Sequence, residues 1–162
     1  AIRSRGLGDV YKRQLLEASP SGHLVNISSI FGMVGIATQS AYNSAKFAVR
    51  GFTESLQAEY RGTSLTVTCV HPGGIATNIA LRARTDGESS EVSAEERDES
   101  FKQVARTSPT KAAQVIMKGT LARRRRVFIG WDAWLMHTIT KFMPTSYHAI
   151  TARWGSKNDD IG

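Results

Sequence analysis

The sequence predicts an α/β fold, a parallel β-sheet with crossover helices, and two observations carry that prediction. Short apolar runs alternate with longer segments of helical period, in the order strand, helix, strand, helix, strand, helix. The runs themselves, "HLVNIS", "SLTVTCV" and "RVFIG", are brief and rich in β-branched residues, as strands of a covered parallel sheet are. Three strands make a thin sheet, and the regular pattern opens on what reads as the tail of a helix. Both features suggest the carboxyl-terminal part of a larger, doubly wound parallel-sheet domain.

Residues 1–14 are basic, lack periodicity and match no structural template. Their string "GDVYKRQ" resembles translated read-through of a sequencing adapter, so the segment is expected to be foreign to the fold; the alternative is a disordered basic arm. "LLEASPSG" reads as a helix end followed by a turn. "HLVNIS" (23–28) is the first strand, of the kind buried on both faces, and residues 29–40 form a glycine-rich loop. From Ala41 to about Tyr60, the residues Ala45, Val49, Phe52 and Leu56 recur at helical spacing along one face. Phe47 and Ala48 broaden that stripe and predict a helix with two packed sides.

"SLTVTCV" (64–70) is the second strand, stopped by "HPGG". In the acidic stretch that follows, Ser93 and Glu96 fit a capping box opening a short helix. Ser108 before Pro109 reads as cap and first position of a helix running to about Ala122. "RVFIG" (126–130) is the third strand. Trp131, Trp134, Leu135, Ile139 and Phe142 then predict an amphipathic helix broken at Pro144. The organisation expected is an arm at 1–14, an α/β unit at 15–130 and a helical extension at 131–162.

The chain has 162 residues and a net charge of +7, so an acidic partner has to be weighed. Much of the excess lies in the first fourteen residues and in "ARRRR" at 122–126. That run falls where a helix ends, and cations there are stabilised by the helix dipole. No aromatic interleaving or recognition motif accompanies it, so no nucleic-acid partner is expected. Cys69 is the only cysteine, which excludes an internal disulfide and a multi-cysteine metal site and fits a reducing, cytoplasmic setting. No apolar run approaches the ~18 residues of a membrane span, and the amino terminus lacks the order of a signal peptide. The Trp-rich segment 131–143 is expected to pack on its own domain or subunit, with contact to a membrane surface or the substrate mouth as alternatives.

In open parallel sheets, ligands bind beyond the carboxyl ends of the strands. Ser28 and Ser29 follow the first strand, and the loop after them ends at Tyr42. His71, Pro72, Gly73, Gly74, Ile75, Ala76 and Thr77 close or follow the second. Spacing of four puts Tyr42 and Lys46 one helical turn apart on one face. A free phenol titrates near ~10. An ammonium beside it favours the phenolate, and such a tyrosine can exchange a proton with an alcohol or carbonyl oxygen. Ser29 could hold the same oxygen. The glycines of "PGG" leave room for a flat ring.

The other polar residues read more simply. Ser28 points away from Ser29 by alternation and reads as structural. His71 beside Ser29 suggests a hydrolase pair, but the G-x-S-x-G elbow is absent. His23, His137 and His148 lack metal-ligand spacing, and no metal site is expected. Cys69 reads as a core residue.

A bare Tyr-x-x-x-Lys is a common coincidence. The ordered set of "NISSIFG", a thirteen-residue step from Ser29 to Tyr42, "YNSAK" and "HPGG" is far more specific. That set resembles the short-chain dehydrogenase/reductase family over about residues 15–130. The resemblance implies a Rossmann-like fold and an NAD(P)-dependent oxidoreductase that interconverts a ketone and a secondary alcohol by hydride transfer. It implies that Ser29 orients the substrate oxygen and that Tyr42 is the acid/base. Lys46 would lower the tyrosine pKa and bind the nicotinamide ribose, and Pro72, Gly73, Ile75 and Thr77 would frame the nicotinamide.

The cofactor would be NAD or NADP, the substrate a small carbonyl or alcohol, and the assembly a homo-oligomer through the helix carrying Tyr42. Residues 86–99 fall where the family places a mobile lid, a plain solvated loop being the equal alternative. The family's opening strand, its "TGxxxGxG" turn and its "NNAG" strand have no counterpart here. Gly6-Leu7-Gly8 follows no apolar strand. The chain alone is therefore expected to be inactive. The competing reading is a non-catalytic basic α/β module for nucleic acid or anionic membrane.

Overall fold

The computed structural model describes residues 12, 14–37, 39–76 and 107–149. The basic segment at 1–11, the capping box at Ser93 and Glu96, the acidic stretch 86–99 and Thr77 lie outside the described residues. A helical turn over 14–18 leads into strand β1 (His23–Ile27), followed by a short 3-10 turn (Ile30–Gly32) and helix α1 (Ser40–Glu59). Strand β2 (Thr66–Pro72), helix α2 (Pro109–Leu121), strand β3 (Arg126–Ile129) and helix α3 (Trp131–Phe142) complete the described order.

The sheet is parallel throughout, in the order β1-β2-β3. Val25 stands beside Thr68, and His71 beside Phe128. Successive side chains of β2 point to opposite faces. Val67 joins a cluster with Leu56 of α1 and Leu65, whereas Val70 joins Ala112 of α2 with Val127 and Ile129. Helices α1 and α2 thus cover opposite faces, which is the doubly wound arrangement. Phe128 alternates with Val127 and Ile129 and therefore faces the α1 side, where α3 packs through Ala133 against Ile30, Met33 and Phe128.

Ser108 caps α2 as expected, its hydroxyl accepting from the Lys111 amide at 3.3 Å with Pro109 in the first turn. Four expectations change. β2 starts at Thr66 and runs through Pro72 instead of stopping before "HPGG". The amides of Cys69 and Gly73 point toward β3, bonding Arg125 and Ile129 carbonyls. By alternation the N–H that Pro72 lacks would point toward β1, which has already ended opposite Val70. The proline therefore removes no ladder bond.

β1 is not buried on both faces. It is the sheet's edge among the described residues, and Ile27 is 45% exposed. On α1, Phe47 and Phe52 face outward, and Asn43, Thr53 and Leu56 are the buried residues. On α3, Ala133 and Met136 turn inward, leaving Trp131, Trp134 and Phe142 exposed. Small Ala133 lets that helix approach the sheet more closely than a tryptophan would.

Candidate active site

Ser29 leaves β1 in extended conformation and caps the 3-10 turn, its Oγ accepting from the Phe31 amide at 3.2 Å. The Phe31 ring meets the Tyr42 ring edge-on, centroids 6.0 Å apart. Lys46 Nζ lies over the other aromatic partner, 5.6 Å from the Tyr42 centroid, and donates to the Ile27 carbonyl at 3.4 Å. Ile27 and Ser29 flank one residue at the end of β1. The contacts therefore close a circuit from Ser29 through Phe31, Tyr42 and Lys46 back to the same strand end. Ser29 is buried, Phe31 and Lys46 are half-buried, and Tyr42 is 38% exposed, so the phenol borders solvent. Tyr42 Oη makes no hydrogen bond to a described residue.

Ser28 has a structural contact, as alternation predicts: its hydroxyl donates to the Lys46 carbonyl at 2.8 Å. The same carbonyl and the same hydroxyl occupy the space a Cβ on Gly32 would need. Pro72 and Gly73 sit at the end of β2, and Ile75 forms a parallel bridge with Thr107. The Cβ position of Gly73 is not open to a ring, because the Asp132 carboxylate fills it.

Two supporting residues, Asn43 and Asp132, carry no role in the sequence alone. Asn43 is buried, and its amide donates to the carbonyls of Phe31 and Val34 at 2.8 and 2.7 Å while its oxygen accepts from the Ile36 amide at 3.3 Å. It locks the loop that carries Phe31 onto the helix that carries Tyr42. Its signal was an asparagine three residues before Lys46, on the lysine's side of the helix. Asp132 accepts from the Gly74 amide at 2.8 Å, and it too follows a strand's carboxyl end.

His71 is fully buried, with Nδ1 3.1 Å from the Ser29 carbonyl. A carbonyl only accepts, so Nδ1 carries the proton and Nε2 is a buried lone pair without a partner among the described residues. The ring stacks on Phe128, which stacks in turn on His137 at 4.5 Å. Burial lowers the His71 pKa to about 4, against the opposing pull of the Ser29 carbonyl, with Arg50 and Arg126 adding repulsion. Burial tends to raise the Glu54 pKa, but Arg50 at 2.9 Å and Arg126 at 2.6 Å hold it below the usual carboxylate value. Among the described residues no group of three potential metal ligands gathers.

The family model for short chain dehydrogenases matches residues 10–88. The chain is 44% identical over 138 residues to SadH of Mycobacterium tuberculosis, which is provisionally named an oxidoreductase; the match covers 83% of this chain and 49% of SadH. A short-chain dehydrogenase/reductase from Burkholderia phymatum, solved with NAD, superposes with a TM-score of 0.58 at 21% identity, covering 82% of this chain and 49% of that one. A short-chain dehydrogenase from Burkholderia cenocepacia, solved with NADP, gives 0.61 at 18% identity over 81% and 47% of the two chains. The chain thus spans about half the length of the relatives it matches.

Proposed function

The chain belongs to the short-chain dehydrogenase/reductase family, and from that premise we propose that it forms the proton-transfer half of an NAD(P)-dependent oxidoreductase that interconverts a ketone and a secondary alcohol. The observation that carries the proposal is the circuit joining Ser29, Phe31, Tyr42 and Lys46 at the end of β1.

The donor set fits the nicotinamide-ribose end of a dinucleotide. Lys46 uses one donor on Ile27 and has two left for ribose hydroxyls. The backbone of Pro72, Gly73 and Ile75 lies at the neighbouring strand end, with Thr77 two residues further along the sequence. No Gly-x-x-x-Gly-x-Gly turn of the kind that cradles a pyrophosphate occurs among the described residues. When bound, the nicotinamide supplies or accepts the hydride at the carbonyl carbon.

Tyr42 Oη gives a proton to the substrate oxygen in reduction and removes it in oxidation. The Lys46 ammonium, over the Tyr42 ring, helps hold the phenol in place. Ser29 Oγ already accepts from Phe31, so its own proton is free to bond the same substrate oxygen. The outward stripe of α1 with Phe47 and Phe52 packs against a second copy of the protein. A basic nucleic-acid module is less well supported, because Arg126 pairs with Glu54 and Arg123 donates to Ser21 and Ser64. No described helix is long and apolar enough to cross a membrane.

The test is ketone-dependent oxidation of NADH and NADPH by the chain alone and by the chain fused behind the amino-terminal half of a relative. Turnover is expected from the fusion and little from the chain alone. Tyr42→Phe in the fusion should lower kcat by roughly 10²–10⁴-fold with dinucleotide affinity kept. Undiminished turnover in that variant would refute the role of Tyr42.

A further inference from the structure

The end of β2 is held by a carboxylate that the family resemblance does not mention. Gly73 and Gly74 follow that strand, and Gly130 follows β3. Asp132, in the first turn of α3, reaches back between these two strand ends. Its Oδ2 accepts from the Gly74 amide at 2.8 Å. A Cβ on Gly73 would strike both carboxylate oxygens and Cγ, and a Cβ on Gly130 would strike Oδ1. Gly130 also has φ of +93°, a conformation that other residues adopt only with strain. Two glycines at two strand ends thus leave the space that one side chain fills.

Ile75 packs on the core beside Val70, and the segment's other hydrogen bonds among the described residues are to backbone. The Gly73 amide donates to Ile129, the Gly74 carbonyl accepts from Thr107, and the Ala76 amide donates to Thr107. Among these anchors the Gly74 amide is the one held by a side chain. Substituting Asp132 frees it without touching the sheet ladder.

We propose that Asp132 is a positioning residue: its carboxylate, seated between Gly73 and Gly130, fixes the Pro72–Gly73–Gly74–Ile75 backbone that would border the nicotinamide. The functional part of this inference rests on the oxidoreductase reading above; the clamp itself does not. In the absence of the carboxylate, the Gly74 amide has no acceptor, and the glycine pair, with no side chains to restrain it, samples other conformations. A charge-assisted bond is among the stronger that a turn amide can make.

The experiment follows the Gly74 amide by nitrogen-15 NMR and hydrogen exchange in the 162-residue chain, and nicotinamide mononucleotide is the ligand probe. In Asp132→Ala, the Gly74 proton resonance should move upfield and its exchange should quicken roughly 10-fold or more, the scale of one lost charge-assisted bond. Asp132→Asn, which keeps an acceptor of the same shape, should restore most of the protection. A second pair of variants keeps the idea testable if Asp132→Ala folds poorly. Gly73→Ala should destabilise the parent chain, and much of that loss should vanish when Asp132→Ser is combined with it, because the clash is with the carboxylate. Exchange at Gly74 unchanged by Asp132→Ala, or strictly additive losses in the double variant, would overturn the clamp.

Nicotinamide mononucleotide should bind the parent several-fold more tightly than Asp132→Ala and about as tightly as Asp132→Asn. Equal binding by parent and Asp132→Ala would overturn the positioning role even with the clamp intact. No binding by the parent, nor by the fusion with a relative's amino-terminal half, would count against the oxidoreductase reading and leave Gly74 exchange to decide the clamp.

Discussion

At the scale of single residues, His71 carries the clearest dependence on pH. Its pKa is about 4 in the fold against 6.5 when exposed, so the unfolded chain takes up a proton first as pH falls. Stability is full above about pH 6.5 and declines as pH falls toward 4, by about 3 kcal/mol for this group at the limit. His137, lowered by burial and by Arg126, contributes with the same sign. Urea melts at pH 7 and pH 4 should show the loss, and His71→Gln should flatten the profile; an unchanged slope would remove His71 as its source. Asn43 is the other residue with a large expected effect. Asn43→Ala strips partners from two carbonyls and an amide in the loop 31–36 and should cost roughly 3 kcal/mol. Denaturant melts measure it, and a loss below the scale of one hydrogen bond would mean that water replaces the side chain.

At the scale of elements, α1 shows how a helical period can be read correctly and assigned to the wrong face. Ala45, Val49, Phe52 and Leu56 do lie along one stripe, but Phe52 is 58% exposed and only Leu56 of the four is fully buried. The inward stripe is polar: Asn43, Lys46, Arg50, Thr53 and Gln57, at the same spacings. Lys46 bonds the end of β1, Thr53 accepts from Asn26, and Gln57 donates to the carbonyls of Val67 and Arg125 at 3.1 and 2.7 Å. Strand ends leave backbone groups that need partners, and this helix supplies them. The strands and long helices, their order and the Ser108 cap were legible from period, β-branching and the Ser108–Pro109 pair. Facing was not, because hydropathy ignores where unpaired backbone groups lie. Gly32 tests the close approach of the 3-10 turn to α1. Gly32→Ala should destabilise the fold and perturb the Ser28 and Lys46 resonances together, since its Cβ would strike both; a neutral substitution would show that the turn can withdraw.

At the scale of the whole molecule, the sheet presents β1 as an edge among the described residues, and α1 presents Phe47 and Phe52 on its outer face. An unpaired edge and an open apolar stripe both favour association. The 162-residue chain is therefore expected to sediment as species larger than a monomer. Phe52→Ser should reduce that association in light-scattering chromatography without lowering the melting temperature. A monodisperse monomer that melts cooperatively would contradict the expectation.

The sequence by itself determined the parallel α/β order and the boundaries of most elements to within two residues, and it singled out Ser29, Tyr42 and Lys46 as candidates. These follow from local chemistry: period, β-branching, capping, and helical spacing of four. Only the tertiary structure decided which faces of α1 and α3 turn inward, that His71 holds the Ser29 carbonyl, and that Asp132 reaches Gly74 from 58 residues away. Those choices depend on which polar groups are left unpaired once distant strands lie side by side, and that is a property of the assembled sheet.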